Sequence, residues 1–395
     1  MKTYIVGGAV RDALLGYPVQ DRDFVVVGAS PQDMLAQGFL PVGKDFPVFL
    51  HPRTHEEYAL ARTERKTAAG YKGFVFHTDA DVTLEQDLIR RDLSINAMAQ
   101  DDDGTIIDPY GGLQDLENRV FRHVSMAFCE DPVRILRLAR FAARFAIPPR
   151  DFSVAQETTT LMQEMVAAGE VDALVAERVW QEISRGLMEV RPSRMFEVLR
   201  SCGALQRLLP ELDTLWSGPA ATQLMELLDA TAQAAHPLTT RYAVLLHDLT
   251  AAQAGVPSTP AQEKQRTTLA DAISQRLKVP ADCRDLAILL AREHLHIQAA
   301  MSMTAADKID LLGRCDAYRK PQRFLELLST TACLFGNKYV QADAAYEPQI
   351  QLAKALELAQ QINGGDIASQ HASTPSQIPV AIRAARIAAL KTAIS

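Results

Sequence analysis

Gly7-Gly8-Ala9-Val10-Arg11-Asp12-Ala13-Leu14-Leu15-Gly16, followed five residues on by Asp21-Arg22-Asp23 and the apolar run Phe24-Val25-Val26-Val27, is the stretch on which the fold turns. The run Tyr4-Ile5-Val6 ahead of it reads as a short strand. The two glycines then make a turn through which backbone N–H groups can approach a phosphate, and a short helix follows that Gly16 stops. On a strand, residues two apart share a face, so Asp21 and Asp23 project together, about 6.6–6.8 Å apart along the chain. Carboxylates so placed suit hard divalent cations, which take oxygen ligands. Two-metal nucleotidyl transfer needs such a pair to activate an attacking hydroxyl and neutralise a leaving pyrophosphate. A bare Asp-x-Asp is more often a solvated turn entering a strand. The order strand, Gly-Gly turn, helix, glycine and Asp-x-Asp strand within so short a span is far narrower.

Outward from this stretch, the chain to about Asp115 alternates strand and helix signals. Strands are expected at Tyr4–Val6, Asp23–Val27, Val48–Leu50, Glu57–Ala61 and Thr105–Asp108, and helices at Val10–Leu15, Pro31–Ala36 and Leu84–Ala97. From about Asp131 onward apolar residues recur at helical spacing. Ile135-Leu136-Leu138-Ala139-Phe141-Ala142-Phe145 forms one face and Val179, Ile183 and Leu187 another. Later helices are expected at Thr222–Ala235, Ala261–Leu277, Cys283–His294, Ala305–Arg314 and Gln322–Leu334. The expected class is α+β: a mixed-sheet head over 1–130, then an all-helical neck over 131–200, a body over 201–345 and a C-terminal extension over 346–395 of unassigned role. No internal repeat is visible. Ala368–Pro379, rich in Ser, Ala, Gln and Pro, reads as a loose connector before a last Arg/Ala-rich helix.

Composition sets bounds on these readings. At 395 residues the chain exceeds what one hydrophobic core usually serves. Hydrophobic residues at 48% and charged residues at 23% are ordinary globular values, and no apolar run is long enough to span a bilayer. The N-terminus enters a strand without the pattern of a signal peptide. The five scattered cysteines form no CxxC pair, which fits reduced thiols in a cytoplasmic protein. A net charge of -7 does not advertise a nucleic-acid binder, yet Arg134, Arg137, Arg140, Arg144 and Arg150 fall close together, and Arg319, Lys320 and Arg323 form a second cluster.

The second informative stretch is Glu130-Asp131-Pro132-Val133-Arg134, with Arg137 and Arg140 beyond it. Asp131 is a natural helix cap and Pro132 a natural first helical residue. Asp131 and Arg134, three apart, also share one helix face. Cytosine and adenine both present a ring-nitrogen acceptor beside an exocyclic amino donor. Arginine, donor only, suits the nitrogen; ionised aspartate, acceptor only, suits the amino group. Uracil and guanine present the reverse pattern, so one Asp–Arg pair can accept CTP and ATP and reject UTP and GTP.

Taken together, Gly7–Gly16 with Asp21-Arg22-Asp23 resembles the signature of class II tRNA nucleotidyltransferases and bacterial poly(A) polymerases, of the polymerase-β-like superfamily. The resemblance implies a polymerase-β-like nucleotidyltransferase head, Mg2+ held by Asp21 and Asp23, and contacts from Gly8 and Arg11 to the incoming triphosphate. It also implies a third carboxylate on a nearby strand, for which Glu57 is the candidate and Glu56 the competitor. Glu-Asp-x-x-Arg resembles the family's base-selecting motif, with Arg137 and Arg140 holding the triphosphate. Arg90-Arg91-Asp92-Leu93-Ser94-Ile95-Asn96-Ala97 resembles its RRDxxxNA motif, which makes Arg91 a triphosphate or ribose contact and lets Asp92 and Asn96 orient the sugar.

Within that family, the polar segment Arg62–Gly73 reads as the mobile loop that CC-adding enzymes lack, which favours CCA addition. The chain also lacks the N-terminal extension and strongly basic tail usual in poly(A) polymerases. The whole resembles the long CCA-adding enzymes of gammaproteobacteria, with tRNA as partner through its acceptor and T arms, CTP and ATP as substrates, and a monomer expected. The basic group near Arg319 is a candidate tRNA surface, and a catalytically silent tRNA-binding protein is the rival from another class. The resemblance is carried by residues 1–345, with none assigned to the last 50 or so. His247-Asp248 matches the pair that names HD phosphohydrolases, and His294 and His296 match a later helix. No histidine lies between His123 and His236, and Leu249-Thr250-Ala251-Ala252-Gln253 replaces the Gly-Lys and histidine cluster such a site needs. The pair is therefore read as a structural remnant without hydrolase activity.

Overall fold

The computed structural model describes residues 1–42, 48–66, 74–77, 80–147, 151–250, 259–336 and 346–394. Strands β1 (Lys2–Val6), β2 (Asp23–Val27), β3 (Leu40–Val42), β4 (Val48–Leu50), β5 (Glu57–Leu60), β6 (Thr63–Lys66), β7 (Phe74–His77), β8 (Ala99–Gln100) and β9 (Ile106–Ile107) belong to the head. Seven of them make one sheet in the order β3-β4-β5-β2-β1-β8-β9, while β6 and β7 pair separately. Every pairing in the large sheet is antiparallel except the central one, β2 with β5.

The alternation of β2 explains why this sheet is covered on both faces. Val25 points into a cluster with Tyr4, Val6, Ala61, Leu84 and Leu88, whereas Val26 points into one with Met34, Phe39, Phe49 and Leu60. Helices α1 (Gly8–Leu14), α2 (Pro31–Ala36), α3 (Leu84–Leu88) and α4 (Gly112–Asn118) complete the head, and α2 opens with a Ser30/Asp33 capping box and a proline in its first turn.

Beyond it run α5 (Val133–Arg144), α6 (Gln156–Ala167), α7 (Ala176–Leu187), α8 (Ser193–Ser201), α9 (Ala204–Leu208), α10 (Pro210–Asp213), α11 (Ala220–Gln233) and α12 (Leu238–Leu246). Then follow α13 (Pro260–Arg276), α14 (Ala281–Gln298), α15 (Ala305–Arg314), α16 (Pro321–Gly336), α17 (Glu347–Gln360), α18 (Gly364–Gln370) and α19 (Ile378–Ile394). The chain divides into two compact units, one of Met1–Gly186 with Arg194–Pro210 and one of Leu187–Ser193 with Glu211–Ser395. Among the described residues no helix is long and apolar enough to cross a membrane.

Two expectations are corrected. The helix expected over Leu84–Ala97 stops at Leu88, and only a 3-10 turn at Ser94–Asn96 follows. Leu93 is extended because the Asp92 carboxylate takes its backbone N–H at 2.9 Å, a local bond that competes with the helical ladder. The expected connector Ala368–Pro379 is shorter than expected: α18 reaches Gln370 and α19 begins at Ile378, with turns and the 3-10 segment Pro375–Gln377 between them. Of the expected loop Arg62–Gly73, Thr63–Lys66 form β6, and residues 67–73 lie outside the described residues.

Candidate active site

The register of the central strands decides which carboxylates meet. Asp23 of β2 is the direct partner of Glu57 of β5, and Phe24 that of Tyr58, so Asp23 and Glu57 stand on neighbouring strands and share a face. The stacked pair Phe24–Tyr58, with ring centroids 4.4 Å apart, locks this register from the opposite face. Glu56 falls one position out of line and accepts the Thr54 hydroxyl at 2.8 Å. Asp21 lies just ahead of β2, and its charge acts on Asp23. Partial desolvation raises the Asp23 carboxyl above its ordinary value; Arg91 opposes this and Asp21 adds to it. Among the described residues no three His, Cys, Asp or Glu groups close into a metal cage.

Across β1, Val6 is the partner of Asp23, so the Gly7-Gly8 turn leaves the sheet beside the carboxylates. Gly7 caps α1 at φ 70 and ψ -129, a conformation open to glycine. A Cβ there would lie 2.9 Å from Arg91 Nη1. Arg91 donates from Nη2 to Asp87 at 3.2 Å, while its buried Nε has no hydrogen-bond partner among the described residues. Asp87 is fully buried and also takes Arg90 Nη2 at 2.5 Å and the Arg62 backbone N–H at 3.3 Å. Burial pushes its carboxyl up, but Arg91 and Arg90 outweigh that and hold it below the ordinary value.

A relay of polar groups, buried at Arg11, Asp12, Asp92 and Asn96, ties α1 to α5. Arg144 donates to Asp12 at 2.8 Å, and Arg11 donates to Asp12 at 2.8 Å and to Asn96 at 2.5 Å. Asn96 donates to Asp92 at 2.9 Å, and Arg137 donates to the other Asp92 oxygen at 3.0 Å. Burial pushes the Asp92 carboxyl up, yet Arg137, the Asn96 amide and Arg134 bring it down to about 2. Arg11 is only 3% exposed and lies against Phe141 and Phe145. Arg140 is buried too, with its Nε on Glu182 of α7 at 2.7 Å. Of the four arginines expected at the triphosphate, Arg91 and Arg137 present the more exposed guanidinium groups.

Asp131 and Arg134 are not bonded to each other through their side chains. Both Asp131 oxygens are taken by Arg178 of α7, at 3.0 and 2.7 Å, and Oδ1 also accepts the Val133 backbone N–H. Arg134 donates to the Ala127 carbonyl at 3.0 Å. Each guanidinium and carboxylate has further hydrogen-bonding capacity for a base edge. Arg178, Glu182, Asp87, Asp12 and Arg144 were not singled out as site residues in sequence. The Glu177-Arg178 pair opening an amphipathic helix was the available signal for Arg178.

In the second unit, the His247 ring bonds to the Val244 carbonyl at 2.8 Å and the His294 ring to the Leu290 carbonyl at 2.7 Å. The two rings lie 5.6 Å apart, and Asp248 spends one oxygen on the Thr250 N–H and hydroxyl. The group around Arg319 is an ion-paired knot: Arg319 bonds Asp316, and Lys320 and Arg323 approach Asp285.

The class defined here is a nucleotidyltransferase with a head of poly(A) polymerase type. Residues 3–122 match the family described as poly A polymerase head domain, and residues 151–215 match the probable RNA and SrmB-binding site of polymerase A. The chain is 58% identical to the multifunctional CCA protein of Janthinobacterium sp. (strain Marseille), over 100% of this chain and 98% of the relative. It is 57% identical to that of Herminiimonas arsenicoxydans, over 100% and 99%. The chain belongs to the multifunctional CCA protein family of CCA-adding tRNA nucleotidyltransferases, and the likeness runs through the tail that the sequence motifs left unassigned. The fold also resembles that of the Bacillus stearothermophilus CCA-adding enzyme solved with CTP, at a TM-score of 0.66 and 23% identity over 99% of this chain and 89% of that one.

Proposed function

We propose that this chain builds the 3′ end of tRNA by adding CCA from CTP and ATP without a nucleic-acid template. The observation that carries the reading is full-length identity to CCA proteins joined to a head in which Asp23 and Glu57 align beside the Gly7-Gly8 turn. The tRNA 3′-hydroxyl attacks the α-phosphorus of CTP or ATP in line, the new P–O bond forms, and pyrophosphate leaves.

Asp21 and Asp23, with Glu57 beside them, would hold Mg2+. Their chemistry fits it: exposed carboxylates, without ion pairs among the described residues, match an ion that takes a few carboxylates plus substrate phosphates rather than a closed protein cage. When bound, Mg2+ makes the hydroxyl a better nucleophile and offsets charge on the departing pyrophosphate. Gly8 lets the turn approach the triphosphate, and Arg11, Arg91, Arg137 and Arg140 position it. The Arg91 Nε, buried without a partner among the described residues, supports this placement. Asp131, oriented by Arg178, and Arg134 select cytosine and adenine, and the segment Arg62–Gly73 takes part in the change from C to A. Catalysis here is mostly positioning and charge stabilisation. Helical surfaces bind the acceptor and T arms by shape and phosphate contact. We place the enzyme in the cytoplasm as a monomer, and read the His247-Asp248 region as free of phosphohydrolase activity.

The test is a gel assay with Mg2+ and tRNA lacking its 3′ end, given each nucleotide singly and then CTP with ATP. Addition of CCA followed by arrest is expected, and neither Asp21→Ala nor Asp23→Ala protein should incorporate nucleotide. Arrest after CC would indicate a CC-adding enzyme, a long A tail a poly(A) polymerase, and no incorporation a silent tRNA binder.

A further inference from the structure

An HD-type site is a cation held between histidines and aspartates, and the second unit retains three of the groups that could take part. His247 and Asp248 directly follow α12, and His294 lies on α14, with its ring 5.6 Å from that of His247. Each ring is committed through Nδ1 to a backbone carbonyl one helical turn back, which leaves Nε2 as the atom able to meet a ligand. With Arg266 in place, this donor set does not fit a metal. Among the described residues no three such groups converge on one point, and Asp248 is turned to Thr250. Arg266 of α13 is bonded to α14 within one turn of His294. It is 2% exposed, and its Nε donates at 3.2 Å to the Ala291 carbonyl, one turn before His294. Its charge acts on both imidazoles, and burial together with His247 and Arg266 holds His294 down to about 3.

We propose that the guanidinium of Arg266 stands where a divalent cation would sit between His247-Asp248 and His294, so that this region is a cation-free structural core. Arginine keeps its charge in any such setting, and a second, doubly charged cation beside it is repelled in a medium of low dielectric. Neutral imidazoles facing a fixed guanidinium need no metal to complete them. The inference rests on the reading that this region is not a hydrolase, and adds the residue responsible.

Full-length wild type, R266A, R266K and R266A/H294Q would each be titrated with Co2+. The visible absorption of nitrogen-ligated Co2+ separates this site from the all-oxygen site of the head. Wild type and R266K should show no signal that depends on His294. R266A should gain one, at least about tenfold tighter than any wild-type binding, and R266A/H294Q should lose it. A His294-dependent signal in wild type, shown by comparison with H294Q, overturns the proposal even where R266A fails to fold. So does folded R266A that takes up no Co2+. Hydrolysis of a cyclic phosphodiester by wild type with Ni2+ would show separately that the non-hydrolase reading has failed.

Discussion

Gly7 meets a backbone demand that by itself selects glycine, and a Cβ there would also displace the tip of the Arg91 side chain. Its φ of 70 with ψ -129 strains any other residue, and the space beside it belongs to Arg91. Gly16, at φ 75, also has a positive φ, with nothing within 4 Å. Backbone strain of this kind costs roughly 1–3 kcal/mol. Gly16→Ala should therefore lose thermal stability and keep its kcat/KM below its melting point. Gly7→Ala should lose comparable stability and also about tenfold or more in kcat/KM for both nucleotides, because Arg91 must move. Equal kcat/KM for the two variants would show that the Arg91 contact is idle. Asp92 makes a pH prediction. Its folded carboxyl titrates near 2 against an ordinary 3.8, so its contribution to stability is present above the unfolded value and fades as pH falls towards 2. That depression corresponds to about 2 kcal/mol. The gap in melting temperature between wild type and Asp92→Asn should be widest near pH 7 and close between pH 4 and 2. A gap that stays constant over that range would remove Asp92 from the linkage.

At the scale of elements, the parallel pairing of β2 with β5 converts sequence positions into a pair of facing carboxylates. It aligns Glu57 with Asp23 and leaves Glu56 out of line on a hydrogen bond with Thr54. Glu57→Gln should lower kcat at least about tenfold with little change in nucleotide KM, as expected for a group that acts in the transition state, while Glu56→Gln should stay within about twofold. The reverse order would mean that the strands slip by one residue when substrate binds. Sequence alone left this choice open, since Glu56-Glu57 reads equally well in either register; pairing is a tertiary fact that no periodicity within one strand carries. β2 was legible in full because its alternation and its flanking turn agree. Leu84–Ala97 was not, because the apolar spacing continues past Leu88 while Asp92 draws the Leu93 N–H out of the helix. Asp21, Arg91 and Asp131 were legible through motif spacing. Their partners were harder to read: Asp87, four residues before Arg91, looks in sequence like an ordinary charge on a helix face, and Arg178, paired with Asp131 from a distant element, left only the Glu177-Arg178 pair as a trace.

Over the whole molecule, charge pairing limits what composition suggested. The basic cluster Arg319, Lys320 and Arg323 shares its surface with Asp316 and Asp285, so little of its charge is left for phosphate. The same rule applies to the C-terminal helix α19, whose most visible attachments are polar. Arg383 bonds both oxygens of Asp310 at 2.7 Å, and Arg386 lies 3.6 Å over the Tyr318 ring. Leu390 of the same helix is 1% exposed. An exposed ion pair is screened by water and restrains two long side chains, whereas truncating a buried leucine loses transfer free energy and leaves a cavity, at about 2–5 kcal/mol. Burial therefore decides how firmly α19 is attached. In a unit of this size each kcal/mol moves the melting temperature by about 2–4 °C. Leu390→Ala should lower the transition of the second unit by roughly 5–15 °C, and Arg383→Ala by less than about 2 °C, both read by scanning calorimetry of the full chain. A larger loss from Arg383→Ala than from Leu390→Ala would mean that the ion pair with Asp310, and not the apolar seam, holds the tail in place.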